Sequence, residues 1–189
     1  MNFLAIRINE IRQLLNSYEN NYSESIELIA AEIASALQSG GKLLICGNGG
    51  SAADSQHFAT EFMNSFSPDL NRPGLAAIAL TTDTSFLTAH ANDFQFQTVF
   101  RRQVATLGKK GDVLIAITTS GESLNCIEAV NCANEMGLRT ISFSKQGGEI
   151  TKSTHIALEI ASSNTQHIQE LHLISYHIIV EMVEAFLFR

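Results

Sequence analysis

The sequence is poor in the residues that mark several other classes of protein. It has no tryptophan, two prolines and three cysteines in 189 residues. Such scattered cysteines (Cys46, Cys126, Cys132) exclude a disulfide framework or a four-cysteine zinc site, so we expect buried free thiols. Basic residues are also scarce, because twelve Lys and Arg against nineteen Asp and Glu leave a formal net charge of −7. A basic surface for binding nucleic acid is therefore not expected.

The chain also lacks the apolar segments that direct a protein to a membrane. The first fifteen residues mix charged and apolar side chains at helical spacing and contain no signal-peptide core. The longest late apolar stretch, 171–180, contains two histidines and is too short to span a bilayer. With 45% apolar and 16% charged residues, the composition is typical of a globular protein. We expect a cytoplasmic protein with a single domain.

Helical periodicity dominates the first forty residues. One helix is predicted with Leu4, Ile8, Ile11, Leu14 and Leu15 on one side. An interruption is predicted at 20–23, and a second helix follows over 25–37, ending at two glycines.

The rest of the chain alternates short apolar runs with helical patterns. The runs lie at 42–46, 75–80, 113–117, 140–143 and 156–160, and the helical patterns at 51–66, 86–107, 123–136 and 164–188. Runs without polar alternation are typical of strands covered on both faces. Their repetition predicts right-handed βαβ units. We therefore predict a three-layer α/β/α fold with a parallel sheet of about five strands and a helical N-terminal extension.

Two loops that follow predicted strands have the composition of an anion-binding site. The first reads Gly47-Asn48-Gly49-Gly50-Ser51, and the second reads Thr118-Thr119-Ser120-Gly121-Glu122-Ser123. Glycines allow close backbone approach, and hydroxyl groups at a helix start can hold a phosphate. Either loop alone could be an ordinary turn and helix cap, but together they favour an anionic ligand. A loose dinucleotide fingerprint in the first loop lacks its acidic partner about twenty residues later, which disfavours nicotinamide binding.

Polar side chains on two predicted helices are further candidates. His57 and Glu61 are four residues apart, so they can hold a metal or move protons, although the spacing alone favours a solvated surface pair. The closing helix carries Gln169, Glu170, His172 and His177 among apolar residues. At least one of them should face a site or an interface, while a satisfied structural role is favoured for His172. Asn92-Asp93 could close a site or form a turn; His155 and His167 are expected at the surface, and His90 stays undecided.

Five segments carry a resemblance to a known family. They are Cys-Gly-Asn-Gly-Gly-Ser-Ala-Ala-Asp-x-Gln-His-Phe-Ala-x-Glu (46–61), Ala-Leu-Thr-Thr-Asp-Thr-Ser (79–85), Asn-Asp-Phe (92–94), Gly-Asp-Val-Leu-Ile-x-Ile-x-Thr-Ser-Gly-x-Ser (111–123) and Ile-Gln-Glu-x-His (168–172). In order and spacing they resemble the phosphoheptose isomerases. Those are sugar isomerase (SIS) domain enzymes that convert sedoheptulose 7-phosphate to D-glycero-D-manno-heptose 7-phosphate for bacterial surface polysaccharide (lipopolysaccharide or capsule). The resemblance runs from about residue 25 to the end.

The resemblance implies a flavodoxin-like five-stranded parallel sheet in one SIS domain, residues 1–189. Within it, residues 1–40 would form helices that pack on the core and on neighbouring subunits of a homotetramer. Glu61 would be the general base and His177 the general acid. One zinc ion per subunit would be held by His57, Glu61, Gln169 and His177. The sugar phosphate would contact Asn48, Gly49, Gly50, Ser51, Glu61, Asn92, Asp93, Thr118, Thr119, Ser120, Ser123 and Gln169.

The chain departs from the family pattern at several positions. Ser65 stands in the segment where many members have an arginine, His167 replaces another arginine, and Ser163-Asn164-Thr165 replaces Asp-Asp-Thr. Glu122 adds a negative charge beside the proposed phosphate loop. These changes leave open an isomerase of another phosphosugar. A non-catalytic relative that binds the bacterial replication initiator is a further alternative, which the presence of both Glu61 and His177 disfavours.

Overall fold

The computed structural model describes residues 2–189, which form five strands and seven α-helices. The strands are β1 (Leu43–Gly47), β2 (Ala77–Ala79), β3 (Val113–Thr118), β4 (Arg139–Lys145) and β5 (Ile156–Ile160). The helices are α1 (Phe3–Asn16), α2 (Tyr18–Gln38), α3 (Gly50–Met63), α4 (Thr84–Asp93), α5 (Val99–Leu107), α6 (Leu124–Glu135) and α7 (Thr165–Phe188). Single 3₁₀ turns lie at Phe96–Thr98 and Glu149–Lys152.

The five strands form one parallel sheet in the order β2-β1-β3-β4-β5. Helices α2, α3 and α7 cover one face through an apolar core that includes Ile29, Phe58 and Ile179. Helices α4, α5 and α6 cover the other face through a second core around Phe100 and Val130. The predicted three-layer fold is therefore confirmed. The strand order reverses between β1 and β3, so a crevice opens at the carboxyl ends of these two neighbouring strands.

The break between the two N-terminal helices was predicted at 20–23, and this prediction is wrong. The chain breaks at Ser17, whose hydroxyl donates to the carbonyl of Leu14 at 3.2 Å and competes with the helix backbone. Asn20 and Asn21 lie on the exposed side of α2, where their polar side chains do not interrupt the helix. None of the residues of α1 is buried, so the predicted apolar side of this helix is largely exposed.

Two other boundaries differ from the apolar pattern. The run 75–80 yields only the three-residue edge strand β2, because the amide of Leu75 donates to the carbonyl of Phe62 at 3.0 Å instead of joining the ladder. The helical pattern over 86–107 is divided at Phe94 and Gln95 into α4 and α5. Because of tertiary hydrogen bonds and turns, the strand and the helices are therefore shorter than apolar periodicity alone predicts.

Helix α7 combines 24 residues with a mean hydropathy of 1.5 over its most apolar window, values that a membrane span also has. In this fold 44% of that window is buried, and buried α7 residues such as Leu171 and Val180 belong to the apolar core beneath the sheet. Core helices of soluble proteins meet the same criteria of length and composition. Packing within the chain therefore accounts for the buried part of the apolar surface of α7.

Candidate active site

The glycine loop, residues 47–51, joins β1 to α3 at the crevice. Gly49 has a φ of +57°, a backbone conformation that residues with a side chain rarely adopt. A Cβ atom at Gly50 would lie 2.2 Å from the Nε2 atom of Gln169 on α7. A side chain at position 50 would therefore displace the amide of Gln169, which lies against the loop.

The hydroxyl loop, residues 118–123, joins β3 to α6 beside the glycine loop. The Oγ1 atom of Thr118 lies 2.9 Å from Oγ of Ser123, and the backbone N–H of Glu122 donates to Oγ of Ser120 at 3.1 Å. Gly121 has a φ of +72° and lies so close to Gly148 that a Cβ atom would come within 2.4 Å of its Cα. Hydroxyl groups thus cluster at the N-terminus of α6, where the helix dipole favours an anion.

The carboxylate of Glu122, which departs from the family pattern, turns to the neighbouring 3₁₀ turn. Its Oε1 atom accepts a hydrogen bond from the backbone N–H of Glu149 at 3.3 Å.

Three predicted site residues, His57, Glu61 and His177, come together between α3 and α7, and we call them the His–Glu cluster. The Nε2 atom of His57 lies 2.8 Å from Oε1 of Glu61, and the two histidine Nε2 atoms are 3.4 Å apart. One donor atom from each residue lies within 4.8 Å of the others. Two imidazoles and a carboxylate are donors that zinc accepts, and the same groups can transfer protons. His57 and Glu61 are not the isolated surface pair that the spacing alone favours, because His57 also approaches His177 on α7.

Tyr176 forms the floor of the His–Glu cluster. Its buried ring stacks on Phe58 at 4.9 Å and meets the rings of His57 and His177 edge to face at 5.6 and 4.8 Å. Burial raises the pKa of Tyr176, and the nearby charges of Asp54 and Glu61 raise it further. Its hydroxyl has no hydrogen-bond partner among the described residues.

Burial also lowers the pKa of His177, and neighbouring His57 lowers it further, while Glu61 opposes both effects. His177 therefore favours the neutral imidazole, which can accept a proton or exchange one near neutral pH.

Gln169 faces the crevice from the first turns of α7. Its Nε2 atom donates to Oδ2 of Asp54 at 2.9 Å. Burial raises the pKa of Asp54, and the hydrogen bond from Gln169 and the charge of His57 lower it in part. Gln169 lies eight residues before His177, about 12 Å along the helix axis, so the two side chains face different parts of the crevice.

The remaining polar candidates have varied surroundings. Asn92 and Asp93 are exposed at the end of α4, where the Asn92 amide donates to Asp93 at 2.9 Å. His90 is buried and stacks between Phe86 and Phe94. His155 is exposed, as expected.

Two expectations about histidines on α7 are wrong. His167 is buried rather than at the surface, because Arg7 and Glu10 of α1 cover it. His172 is fully buried, but neither ring nitrogen has a hydrogen-bond partner in the part of the chain that the structure describes, so the expected satisfied role is not met. Burial lowers the pKa of His172 to about 4, although the nearby backbone of Ser144 opposes the shift.

A buried ion pair that the sequence patterns did not predict connects the end of α3 to α7. Nε of Arg72 donates to Oε1 of Glu184 at 2.7 Å, and its Nη2 donates to the carbonyl of Glu61 at 2.7 Å. The carboxylate of Glu184 also accepts the backbone N–H groups of Phe66 and Ser67. The available signal was the carboxylate of Glu184 among apolar residues near the end of α7, since such a group requires a partner when it is buried.

The fold and the site together define an α/β protein with a crevice at the carboxyl ends of its parallel strands, where a glycine loop, a hydroxyl loop and a cluster of acid–base groups lie. The SIS domain family model matches residues 8–145. The chain is 48% identical over 160 residues to the phosphoheptose isomerase of Desulfovibrio desulfuricans, covering 84% of this chain and 75% of that protein. It is 45% identical over 179 residues to the phosphoheptose isomerase of Synechocystis sp., covering 94% and 91%.

Solved structures agree with these relatives. The phosphoheptose isomerase of Neisseria gonorrhoeae superposes with a TM-score of 0.90 at 39% identity, over 96% of this chain and 97% of that chain. The enzyme of Francisella tularensis superposes with a TM-score of 0.88 at 33% identity, over 98% and 100%. This chain belongs to the SIS-domain family of phosphoheptose isomerases, and it is a phosphosugar aldose–ketose isomerase.

Proposed function

We propose that the chain converts sedoheptulose 7-phosphate to D-glycero-D-manno-heptose 7-phosphate at the crevice between the glycine loop, the hydroxyl loop and the His–Glu cluster. The observation that carries this proposal is the meeting of Glu61 and His177 from separate helices. Isomerisation of a ketose needs a group that moves a carbon-bound proton and a second group that moves a hydroxyl proton. The hydroxyl loop and the glycine loop supply the anchor for the phosphate.

Each proton transfer can be assigned to one side chain. The carboxylate of Glu61 removes the proton from C1 of the open-chain ketose and returns it to C2 of the enediol. Nε2 of His177 transfers a proton between the oxygens on C1 and C2, so the proton count is unchanged over the cycle. Arg72 supports this chemistry by holding the backbone carbonyl of Glu61.

The donor set of the site fits a zinc ion. His57, Glu61 and His177 offer two nitrogens and one oxygen within 4.8 Å of one another. Gln169 is the proposed fourth ligand, and because it lies about 12 Å along α7 from His177, it would reach such an ion only from a neighbouring subunit or through a bend in the helix. A bound zinc would stabilise negative charge on the sugar oxygens during proton transfer. Substrate contacts are proposed at Asn48 to Ser51, at Asn92 and Asp93, at Thr118 to Ser120, and at Ser123 and Gln169.

The biological setting follows from the same family membership. We propose one zinc per subunit, a homotetramer, and a cytoplasmic enzyme that serves heptose synthesis for surface polysaccharide. Three buried free thiols suit a reducing compartment. The single SIS domain over residues 1–189 stays a prediction. Isomerisation of another phosphosugar is the second candidate, supported by Ser65 and His167 in place of the usual arginines.

Replacing the proposed base tests the proposal. We expect Glu61→Gln to lower turnover of sedoheptulose 7-phosphate by about 10²–10⁴-fold, because the amide keeps the shape of the side chain and loses its basicity. A coupled assay with and without added zinc measures this, with circular dichroism to verify folding. Glu135→Gln is the control, since Glu135 is an exposed carboxylate at the end of α6.

Retention of most activity in Glu61→Gln would reject the base assignment. Absence of isomerisation by the unaltered protein, with every phosphosugar tried, would favour the non-catalytic alternative.

A further inference from the structure

The glycine loop and the hydroxyl loop are joined by a pair of side-chain amides, Asn48 and Asn125. Nδ2 of Asn48 donates to Oδ1 of Asn125 at 2.8 Å, and Nδ2 of Asn125 donates to Oδ1 of Asn48 at 2.9 Å. Asn125 is 4% exposed and lies in the first turn of α6, directly after the hydroxyl loop. The pair therefore spans the two loops at the crevice.

Reciprocal bonding fixes both amides. Turning either amide over would place N–H against N–H and oxygen against oxygen, so each side chain determines the orientation of the other. Nδ2 of Asn48 also approaches Sγ of Cys126 at 3.9 Å. The carbonyl oxygen and both N–H groups of Asn48 are thus directed towards α6.

This arrangement bears on how a phosphate would be held. The glycine loop leads into the N-terminus of α3, which has no side-chain cap, and the hydroxyl groups of Thr118, Ser120 and Ser123 cluster at the N-terminus of α6. One phosphate can use both N-termini only when the loops keep a fixed separation, because hydrogen bonds weaken steeply beyond about 3.2 Å. The ladder between β1 and β3 ends at the pair Gly47 and Ile117, so sheet hydrogen bonds alone do not set the separation of the rest of the two loops.

We propose that Asn125 is a positioning residue, which orients Asn48 and holds the glycine loop and the hydroxyl loop at the spacing needed to bind one phosphate group between them. The inference rests on the phosphosugar site of the proposed function and adds a residue outside the predicted contact set. Asn125 acts through Asn48, and its own amide faces that residue rather than the substrate.

Asn125→Ala tests the role by removing both hydrogen bonds. We expect the KM for sedoheptulose 7-phosphate to rise about tenfold while kcat changes less than about threefold, because ground-state binding of the phosphate weakens and the proton-transfer groups stay in place. The inhibition constant of inorganic phosphate should rise in parallel. Asn125→Ser keeps one hydrogen-bonding group in a shorter side chain, so its effect should be intermediate, and it serves as the second variant if Asn125→Ala does not fold.

Asn134→Ala on the same helix is the matched control. The amide of Asn134 donates to the carbonyl of Ser153 at 2.7 Å and accepts from Oγ1 of Thr140 at 2.9 Å, at the opposite end of α6 from the two loops. This variant also loses two hydrogen bonds, so its melting temperature should fall by a similar amount. Its KM and its phosphate inhibition constant should stay unchanged, because the loops keep their spacing.

Several results would overturn the proposal. They are KM and phosphate constants within twofold of the unaltered protein in both Asn125 variants, a fall in kcat at constant KM, or an equal KM shift in Asn134→Ala. Calorimetric titration with inorganic phosphate separates this inference from the proposed function. If the unaltered protein binds phosphate but isomerises none of the sugars, weaker phosphate binding by Asn125→Ala still supports the role of Asn125, and unchanged binding rejects it.

Discussion

At the scale of single residues, His172 shows how burial alone changes the acid–base behaviour of a side chain. The ring is fully buried and packs edge to face against Phe143 at 5.7 Å, and neither nitrogen has a hydrogen-bond partner within residues 2–189. Its pKa falls from 6.5 to about 4 because the charged imidazolium loses its hydration. His172 is therefore neutral in the folded protein at pH values where the unfolded chain already binds a proton.

The sign of the resulting pH dependence follows from linkage. The unfolded state binds more protons than the folded state between pH 6.5 and 4, so stability falls as the pH decreases through this window. The loss should reach about 2 kcal/mol at pH 5 and about 3 kcal/mol below pH 4. Urea unfolding at pH 7 and pH 5 measures it.

His172→Leu should remove this part of the pH dependence, because leucine has a similar volume and does not titrate. An identical loss of stability between pH 7 and pH 5 in the variant would contradict the role of His172.

At the scale of secondary-structure elements, the relative placement of α3 and α7 determines the site. His57 and Glu61 lie on α3, His177 lies on α7, and the Arg72–Glu184 ion pair joins the ends of these helices. Both charged side chains are fully buried. Burial would raise the pKa of Glu184, but hydrogen bonds from Ser67, Arg72 and Phe66 lower it below its ordinary value. The carboxylate is thus held ionised between the helices.

Removing one partner of this pair should be costly. We expect Glu184→Gln to lower the free energy of unfolding by about 3–5 kcal/mol, because the guanidinium of Arg72 is then buried without a counter-charge. Denaturant unfolding measures the change. Glu32→Gln is the control, since Glu32 forms a partly exposed pair with Arg139, and it should cost less than about 1 kcal/mol. Equal effects of the two substitutions would contradict the structural role of the buried pair.

At the scale of the whole molecule, several large apolar side chains are uncovered. Phe3 and Leu4 of α1 are 79% and 72% exposed, and Phe186 of α7 is 54% exposed. A cavity of about 270 Å³ between α2 and α7 is lined largely by apolar surface from Tyr18, Ile26 and Met182, among others. Apolar surface on two sides of the N-terminal helices and on α7 is typical of subunit interfaces.

For the proposed homotetramer we expect light scattering to give about four times the chain mass of 20.6 kDa. Leu4→Ser combined with Ile8→Ser should lower the measured mass, because both side chains lie on the exposed face of α1. A stable monomer of the unaltered protein at micromolar concentration would be inconsistent with the homotetramer.

Local patterns in the sequence were sufficient to predict the layers of the fold and the two loops. Five apolar runs without polar alternation correspond to five parallel strands, of which β1 and β3 are fully buried and the edge strands β2 and β5 only in part, and β2 is shorter than its run. Glycines and hydroxyl residues directly after β1 and β3 mark the crevice, because strand order and connection rules bring these ends together. The spacing of His57 and Glu61 likewise determined that they share a helix face.

Only the tertiary structure decided which distant residues meet. His177 is 120 positions from His57, Glu184 is 112 positions from Arg72, and His167 is 160 positions from Arg7. Helical periodicity predicts which face of a helix a residue occupies but not which side chain packs against it. His167 was therefore wrongly predicted at the surface, and the Arg72–Glu184 and Asn48–Asn125 pairs were not predicted. Such contacts depend on how helices pack across the sheet, which is a property of the whole fold rather than of any short segment.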